Sequence, residues 1–190
     1  MIKAVVFDIG GVLEIVDDDR WQDEWIARCE ARAGVASGLL DSVPRRTDRS
    51  EAGLRAWLEV HLGSDVDFFM RDFWDSYCGR LDVELRDFIL SLTVRAAALS
   101  NSADGARREE QERYGLGDLF ETIVYSHEEG VEKPDPAIYR IMEERLGLAG
   151  DDILFLDDRQ SAVDGAIAVG WRAVLHRSTP ESIASLSALL

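Results

Sequence analysis

Lys3-Ala4-Val5-Val6-Phe7-Asp8-Ile9-Gly10-Gly11-Val12-Leu13 is the stretch that decides the fold. Ala4 to Phe7 is a short apolar run, and a short run of this kind fits a strand covered on both faces. It stops on a carboxylate, Asp8. Gly10 and Gly11 then let the backbone turn tightly. A buried strand that ends on an acid and a glycine pair is how an α/β protein presents a side chain at the edge of its sheet.

The same pattern recurs downstream. Val94 to Leu99, Thr122 to Tyr125, Ile153 to Leu156 and Ala173 to Leu175 read as further strands. Between them lie helices: Asp104 to Tyr114, one opened by Asp135-Pro136 and ended by Gly147, and Gln160 to Val169 closed by Gly170. Thr179-Pro180 starts a last helix. Strands alternating with helices predict an α/β three-layer sandwich around a Rossmann-like parallel sheet. Ligands in such sheets bind beyond the carboxyl ends of the strands. Asp8, Ser100, Ser126 and Asp157 all fall at those ends.

The first two strands are separated by a helical block, about Asp19 to Leu92. Trp21, Trp25, Ile26 and Cys29 share one helix face, and Gly34 ends that helix. Thr47 or Ser50 starts the next, with Leu54, Trp57, Leu58 and His61 facing inward. Ser64 with Asp67 three residues on reads as a capping box before Phe68, Phe69, Phe73 and Trp74. Asp82 to Leu92 is a further helix. The expected organisation is a core domain of residues 1–13 and 91–190 and an inserted helical cap of residues 14–90, folded over the edge that carries Asp8.

Composition narrows the function classes. Hydrophobic residues make up 46% and charged residues 31%, an ordinary globular profile. The net charge of −16 argues against nucleic acid as a partner, since that role needs a basic face. The apolar runs are too short to span a bilayer. No secretory pattern follows Met1, so a cytoplasmic location is expected. Cys29 and Cys78 match no metal or redox spacing and read as buried thiols. His61, His127 and His176 show no metal spacing either.

Four stretches meet at the expected edge: Phe7 to Leu13, Leu99-Ser100-Asn101-Ser102, Glu132-Lys133-Pro134-Asp135-Pro136, and Phe155-Leu156-Asp157-Asp158. They offer a carboxylate nucleophile, a hydroxyl donor, a lysine and an acidic pair. That set suits phosphoryl transfer, in which an anionic phosphate must be neutralised before a carboxylate can attack it.

With these four motifs in this order the chain resembles the haloacid dehalogenase-like superfamily, in the branch with a small helical cap after the first motif. The resemblance implies a phosphatase with Asp8 as nucleophile and Mg²⁺ ligand, the Gly10 carbonyl and Asp158 as further ligands, and Asp157 as a second or water-mediated one. It implies that Ser100 bonds a phosphoryl oxygen, that Gly11 and Asn101 shape the phosphate site, and that Lys133 neutralises nucleophile and phosphate. Lys133 lies in a loop, so its loss is expected to reduce turnover far more than stability. Arg45 and Arg46 of the cap can clamp a second anionic group of the substrate. The expected substrate is a small phosphorylated metabolite, and the expected assembly a monomer or homodimer.

Two positions depart from the family pattern. Family phosphatases carry a second Asp two residues after the nucleophile, where this chain has Gly10. They carry Asp or Asn four residues after the metal-binding Asp of the fourth motif, where this chain has Ala162. Asp164, two residues on along a helix, faces elsewhere. Glu14 and Asp17 to Asp19 are the nearest replacements in sequence, with a solvated loop as the plainer expectation for them. The departures leave two alternatives: a catalytically weakened or silent binding protein with this fold, and a dehalogenase. The family's dehalogenases lack the second Asp but also lose the acidic pair, which Asp157 and Asp158 retain here.

Overall fold

The computed structural model describes residues 1–16, 21–34, 50–62 and 65–190. The chain runs through β1 (Ala4–Phe7), β2 (Glu14–Ile15), α1 (Trp21–Ala33), α2 (Glu51–Leu62), α3 (Val66–Cys78), β3 (Arg80–Leu81) and α4 (Val83–Ser91). The alternating half follows: β4 (Arg95–Ser100), α5 (Ala106–Tyr114), α6 (Leu116–Leu119), β5 (Thr122–Tyr125), α7 (Ser126–Glu129) and α8 (Pro136–Leu146). It closes with β6 (Ile153–Asp157), α9 (Gln160–Ala168), β7 (Arg172–Leu175) and α10 (Thr179–Leu189).

Five strands form one parallel sheet in the order β5-β4-β1-β6-β7. In register, Phe7 of β1 lies between Ala98 of β4 and Leu156 of β6. The first strand is thus the middle one. The chain builds outward from it on one side and then returns to build on the other. The crevice at such a reversal is where open α/β sheets hold ligands, and Asp8 stands in it.

The strand residues alternate between two cores, as a period of two requires. Val5, Phe7, Leu154, Leu156, Ile123 and Tyr125 face one side, against Leu85, Ile89, Ala106, Leu116 and Leu186. Ala4, Val6, Leu99, Val124, Ile153 and Phe155 face the other, against Ile138, Met142, Leu146, Ala162 and Ala166. Helices α4, α5, α6 and α10 therefore cover one face, and α8 and α9 the other. Trp25, Cys29, Leu58, Val66, Phe69 and Met70 of α1 to α3 form a third core of their own. Cys29 and Cys78 are buried free thiols.

Within the stretch 14–90, α3 and α4 both reach the sheet's core, α3 through Trp74 and Cys78. Leu85 and Ile89 of α4 belong to the sheet's core, and α4 packs on α10. The apolar side of α4 complements the sheet rather than α1 to α3. The short antiparallel ribbon of β2 and β3, pairing Glu14 with Leu81, was not expected, because two residues per strand leave no periodic signal. It joins the helical insertion to the sheet. Asp82 adds a backbone donor to the Leu13 carbonyl at 2.8 Å.

Local chemistry sets the helix ends. Asp82 caps α4 by accepting from Leu85 N at 2.9 Å, and Asp135 caps α8 by accepting from Ala137 N at 2.9 Å. Ser50 caps α2, its hydroxyl accepting from Gly53 N at 3.0 Å. Thr47 and Ser64 lie outside the described residues. Asp67 accepts from Arg55 Nη1 at 2.6 Å. Among the described residues no helix is long and apolar enough to cross a membrane.

Candidate active site

The turn after β1 is built on one carbonyl. Leu13 N and Glu14 N donate to Ile9 O at 2.8 and 2.9 Å, and Gly11 N donates to Glu14 O at 2.8 Å. This tight coil leaves Asp8 at its mouth, with Ile9 N donating to Asp8 Oδ1 at 2.8 Å. Gly11 has φ +80°, and a Cβ there would lie 2.5 Å from Asp158 Oδ2. Glycine is required at Gly11 both for the turn and because the fourth motif presses against it.

Lys133 enters from the loop before α8. Its ammonium lies 2.8 Å from Asp8 Oδ1 and 2.6 Å from Asp157 Oδ2, and donates to Leu99 O at 2.8 Å. Its three donors thus have three acceptors on the ends of β1, β4 and β6. The side chain is 3% exposed. Lys133 is a loop residue, and within that loop it is a buried cation with buried partners. Asn101 fixes the same loop from β4. Its Nδ2 donates to Lys133 O at 2.9 Å, and its Oδ1 accepts from Lys133 N at 2.8 Å. Ser100 is buried at the end of β4.

Burial pushes Asp8 up to about 7; the Lys133 charge opposes that rise, and Asp157 and Asp158 add to it. For Lys133, burial pulls downward, but Asp8 and Asp157 outweigh it and the net shift is upward. Burial and the neighbouring Asp157 raise Asp158. The site holds more negative charge than one lysine balances.

Carboxylate oxygens of Asp8, Asp157 and Asp158 lie within 4.8 Å of one another. Three hard oxygen donors with uncompensated charge fit a small hard cation such as Mg²⁺. Asp157 is wholly buried and has one oxygen on Lys133 and the other on Arg159 N at 2.8 Å. Asp158 is exposed and makes the freer ligand of the two.

A Cβ built on Gly10 meets nothing within 4 Å, so the position of the family's second acid is open space. Ala162 is buried in α9, with its carbonyl accepting from Tyr139 OH at 2.8 Å. Asp164 is exposed and accepts from Gln160 Nε2 at 2.8 Å. Arg45, Arg46 and Asp17 to Asp19 lie outside the described residues. His127 bonds Ser102 at 2.7 Å and His176 bonds Ser182 at 2.9 Å, and neither lies in the acidic cluster.

Glu14 is not a solvated loop residue. It is 1% exposed and sits with Glu110 of α5, which is 0% exposed. Burial pushes Glu14 up to about 10, with Glu110 adding and Arg113 opposing. Burial pushes Glu110 up to about 8, opposed by the Tyr125 hydroxyl, which donates to it at 2.5 Å. One oxygen of each carboxyl has no partner among the described residues. Sequence reasoning missed this pair because the two residues lie far apart in the chain and neither stands in a motif.

The haloacid dehalogenase-like hydrolase family matches residues 2–170. The chain belongs to this family. A phosphatase of Mycobacterium tuberculosis is 40% identical to this hydrolase over 203 aligned residues, covering 92% of the chain and 87% of the relative. Enolase-phosphatase E1 of Streptomyces avermitilis is 36% identical over 83 residues, only 43% of this chain and 35% of that protein. A HAD family enzyme of Bacteroides thetaiotaomicron, solved with magnesium and inorganic phosphate, shares the fold. It has a TM-score of 0.75 and 21% identity, over 93% of this chain and 95% of that one.

Proposed function

We propose that this hydrolase is a Mg²⁺-dependent phosphatase of a small phosphorylated metabolite, working through an aspartyl-phosphate on Asp8. The observation that carries the reading is the contact of Asp8 Oδ1 with the buried Lys133 ammonium at 2.8 Å, beside Asp157 and Asp158. Asp8, Asp158, the Gly10 carbonyl and, directly or through water, Asp157 would hold the cation. When bound, it supplies the positive charge that ionises Asp8 and draws in the phosphate.

The chain's own groups then act in turn. Asp8 offers one oxygen to the phosphorus while the Lys133 charge neutralises Asp8 and the incoming phosphate and the Ser100 hydroxyl bonds a phosphoryl oxygen. The ester oxygen leaves with the bonding pair and takes a proton from solvent, since Gly10 provides none. Water then cleaves the acyl phosphate, which releases phosphate and returns the Asp8 carboxylate. Helices α1 to α3, with their separate core, serve as the cap over this edge.

Gly10 and Ala162 favour a second reading, a weakened or silent binding protein. Retention of Asp157 and Asp158 weighs against a dehalogenase. Turnover of nitrophenyl phosphate with and without Mg²⁺ separates these readings, with Asp8→Asn as control. Metal-dependent release that vanishes in Asp8→Asn supports the phosphatase. Metal-independent halide release, or no turnover of any phosphate ester, defeats it.

A further inference from the structure

Lys133 is fully engaged by Asp8, Asp157 and the Leu99 carbonyl, so it has no donor left for a distant part of a substrate. Two other cations stand at the same edge. Arg159 follows Asp158, and Arg177 follows the end of β7. Strands β6 and β7 are paired neighbours, with Asp157 opposite Leu175, and His176 N donates to Asp157 O at 2.8 Å. Both arginines are exposed, and among the described residues neither guanidinium makes an ion pair or hydrogen bond.

That is unusual in this chain. Its net charge is −16, and arginines elsewhere rest on acids: Arg95 on Glu121, Arg107 on Glu128, Arg113 on Asp75 and Arg145 on Glu129. Among the described residues Arg71 also makes no ion pair or hydrogen bond, but it lies at a cavity between the insertion and α5 with Asp67 and Asp75, not at the sheet edge. Arg159 is anchored at the site by its own backbone, whose N–H donates to Asp157 Oδ1 at 2.8 Å. An unpaired guanidinium beside a phosphate site offers two parallel donors that match a carboxylate. The surrounding Asp8, Asp157 and Asp158 disfavour a second group carrying two charges more than one carrying a single charge.

We propose that Arg159, supported by Arg177 on the neighbouring strand end, binds a carboxylate carried by the substrate while the phosphoryl group sits at Asp8. The proposal rests on the phosphatase reading and narrows it to phosphate esters of carboxylic acids.

The test is calorimetric binding of phosphonoacetate, which carries both groups, and methylphosphonate, which carries only one, at fixed free Mg²⁺. The unmodified protein should bind phosphonoacetate about 10-fold or more tighter, as expected of a charge-assisted bidentate contact. Arg159→Ala should bring that ratio close to one. Arg159→Lys should keep part of it, because a point charge remains but the fork is lost. Arg177→Ala should lower the ratio less. A ratio near one in the unmodified protein, binding of neither compound, or an unchanged ratio in Arg159→Ala would each overturn the proposal. Because binding is read without turnover, an inactive protein that still prefers phosphonoacetate would sink the phosphatase reading while leaving the carboxylate site standing.

Discussion

Two groups of acids are buried in this molecule, and they are kept in opposite ways. Asp8 and Asp157 share the Lys133 ammonium at 2.8 and 2.6 Å and lie beside the exposed Asp158. Glu14 and Glu110 have no buried cation; Arg113 opposes from a partly exposed position, and Tyr125 donates one hydrogen bond. The first group is kept ionisable and open to a ligand. The second is kept neutral by protons, since an unpaired buried charge is far costlier than a protonated carboxyl. Charge next to a cation stays available for ionisation, whereas charge suppressed by burial is held in the packing beside the β2–β3 ribbon.

The comparison breaks most sharply at Lys133. Lys133→Met leaves two buried carboxylates without their cation. Removing one partner of a buried ion pair costs about 3–5 kcal/mol, and loss of one transition-state contact costs about 10²–10³ in kcat. Both should be seen, in urea denaturation and in turnover measured where the variant remains folded. Unchanged stability would mean that the carboxylates simply take up protons, as Glu14 and Glu110 do, and the two groups would then be alike.

Gly10→Asp adds a carboxylate to the compensated side. Nothing lies within 4 Å of the new Cβ, so the fold should accept it. Alkyl phosphates, whose leaving group needs a proton, should be hydrolysed about 10²-fold faster, while nitrophenyl phosphate changes little. Acid-quenched labelling of Asp8 should show less trapped phosphoenzyme than in the unmodified chain. Fast alkyl-phosphate turnover by the unmodified protein, without phosphoenzyme, would show that another residue supplies the proton.

The sheet and the four motifs were legible because both signals are local. Alternating apolar runs mark the strands, and Asp8, Ser100, Asp157 and Asp158 each stand on the last residue of a strand or the one after it, whereas Lys133 comes eight residues after β5. The Glu14–Glu110 pair was not legible, since its two halves meet only when α5 packs beneath the turn after β1. The packing of α4 on the sheet was hidden for a related reason. The apolar face of α4 looks the same in sequence whether it faces α1 to α3 or the sheet. Lys133 was legible in identity but not in burial, because its loop gives no sign of the three acceptors that converge on it.

Glu14→Gln sharpens the comparison through pH. Both glutamates hold protons in the folded chain where the unfolded chain, near the ordinary 4.5, has released them. Their stabilising contribution is fully present below pH 4.5. It is lost as the pH rises through about 8 for Glu110 and about 10 for Glu14. Glu14→Gln should therefore lose less stability than the unmodified chain between pH 4.5 and 10, with thermal melts across that range as the measurement. Identical slopes would mean that Glu14 is ionised in the folded state.

The smallest effect is expected at Asn101. Asn101→Ala removes two hydrogen bonds to the Lys133 backbone and should cost about 1 kcal/mol each, with kcat reduced because the lysine's loop is less firmly set. Asn101→Asp keeps the acceptor and should recover part of the stability.

On the proposed mechanism, the open space over Gly10 also makes the hydrolase answerable to its medium. A site that takes its leaving-group proton from solvent responds to whatever small acids that solvent contains. Formate or acetate added to the assay can occupy the gap where the family carries a side chain and donate the proton from there, a chemical rescue that Gly10→Asp would render superfluous. The rate against alkyl phosphates then becomes a function of buffer identity at constant pH, and the composition of the surrounding fluid enters the rate law as though it were one more residue.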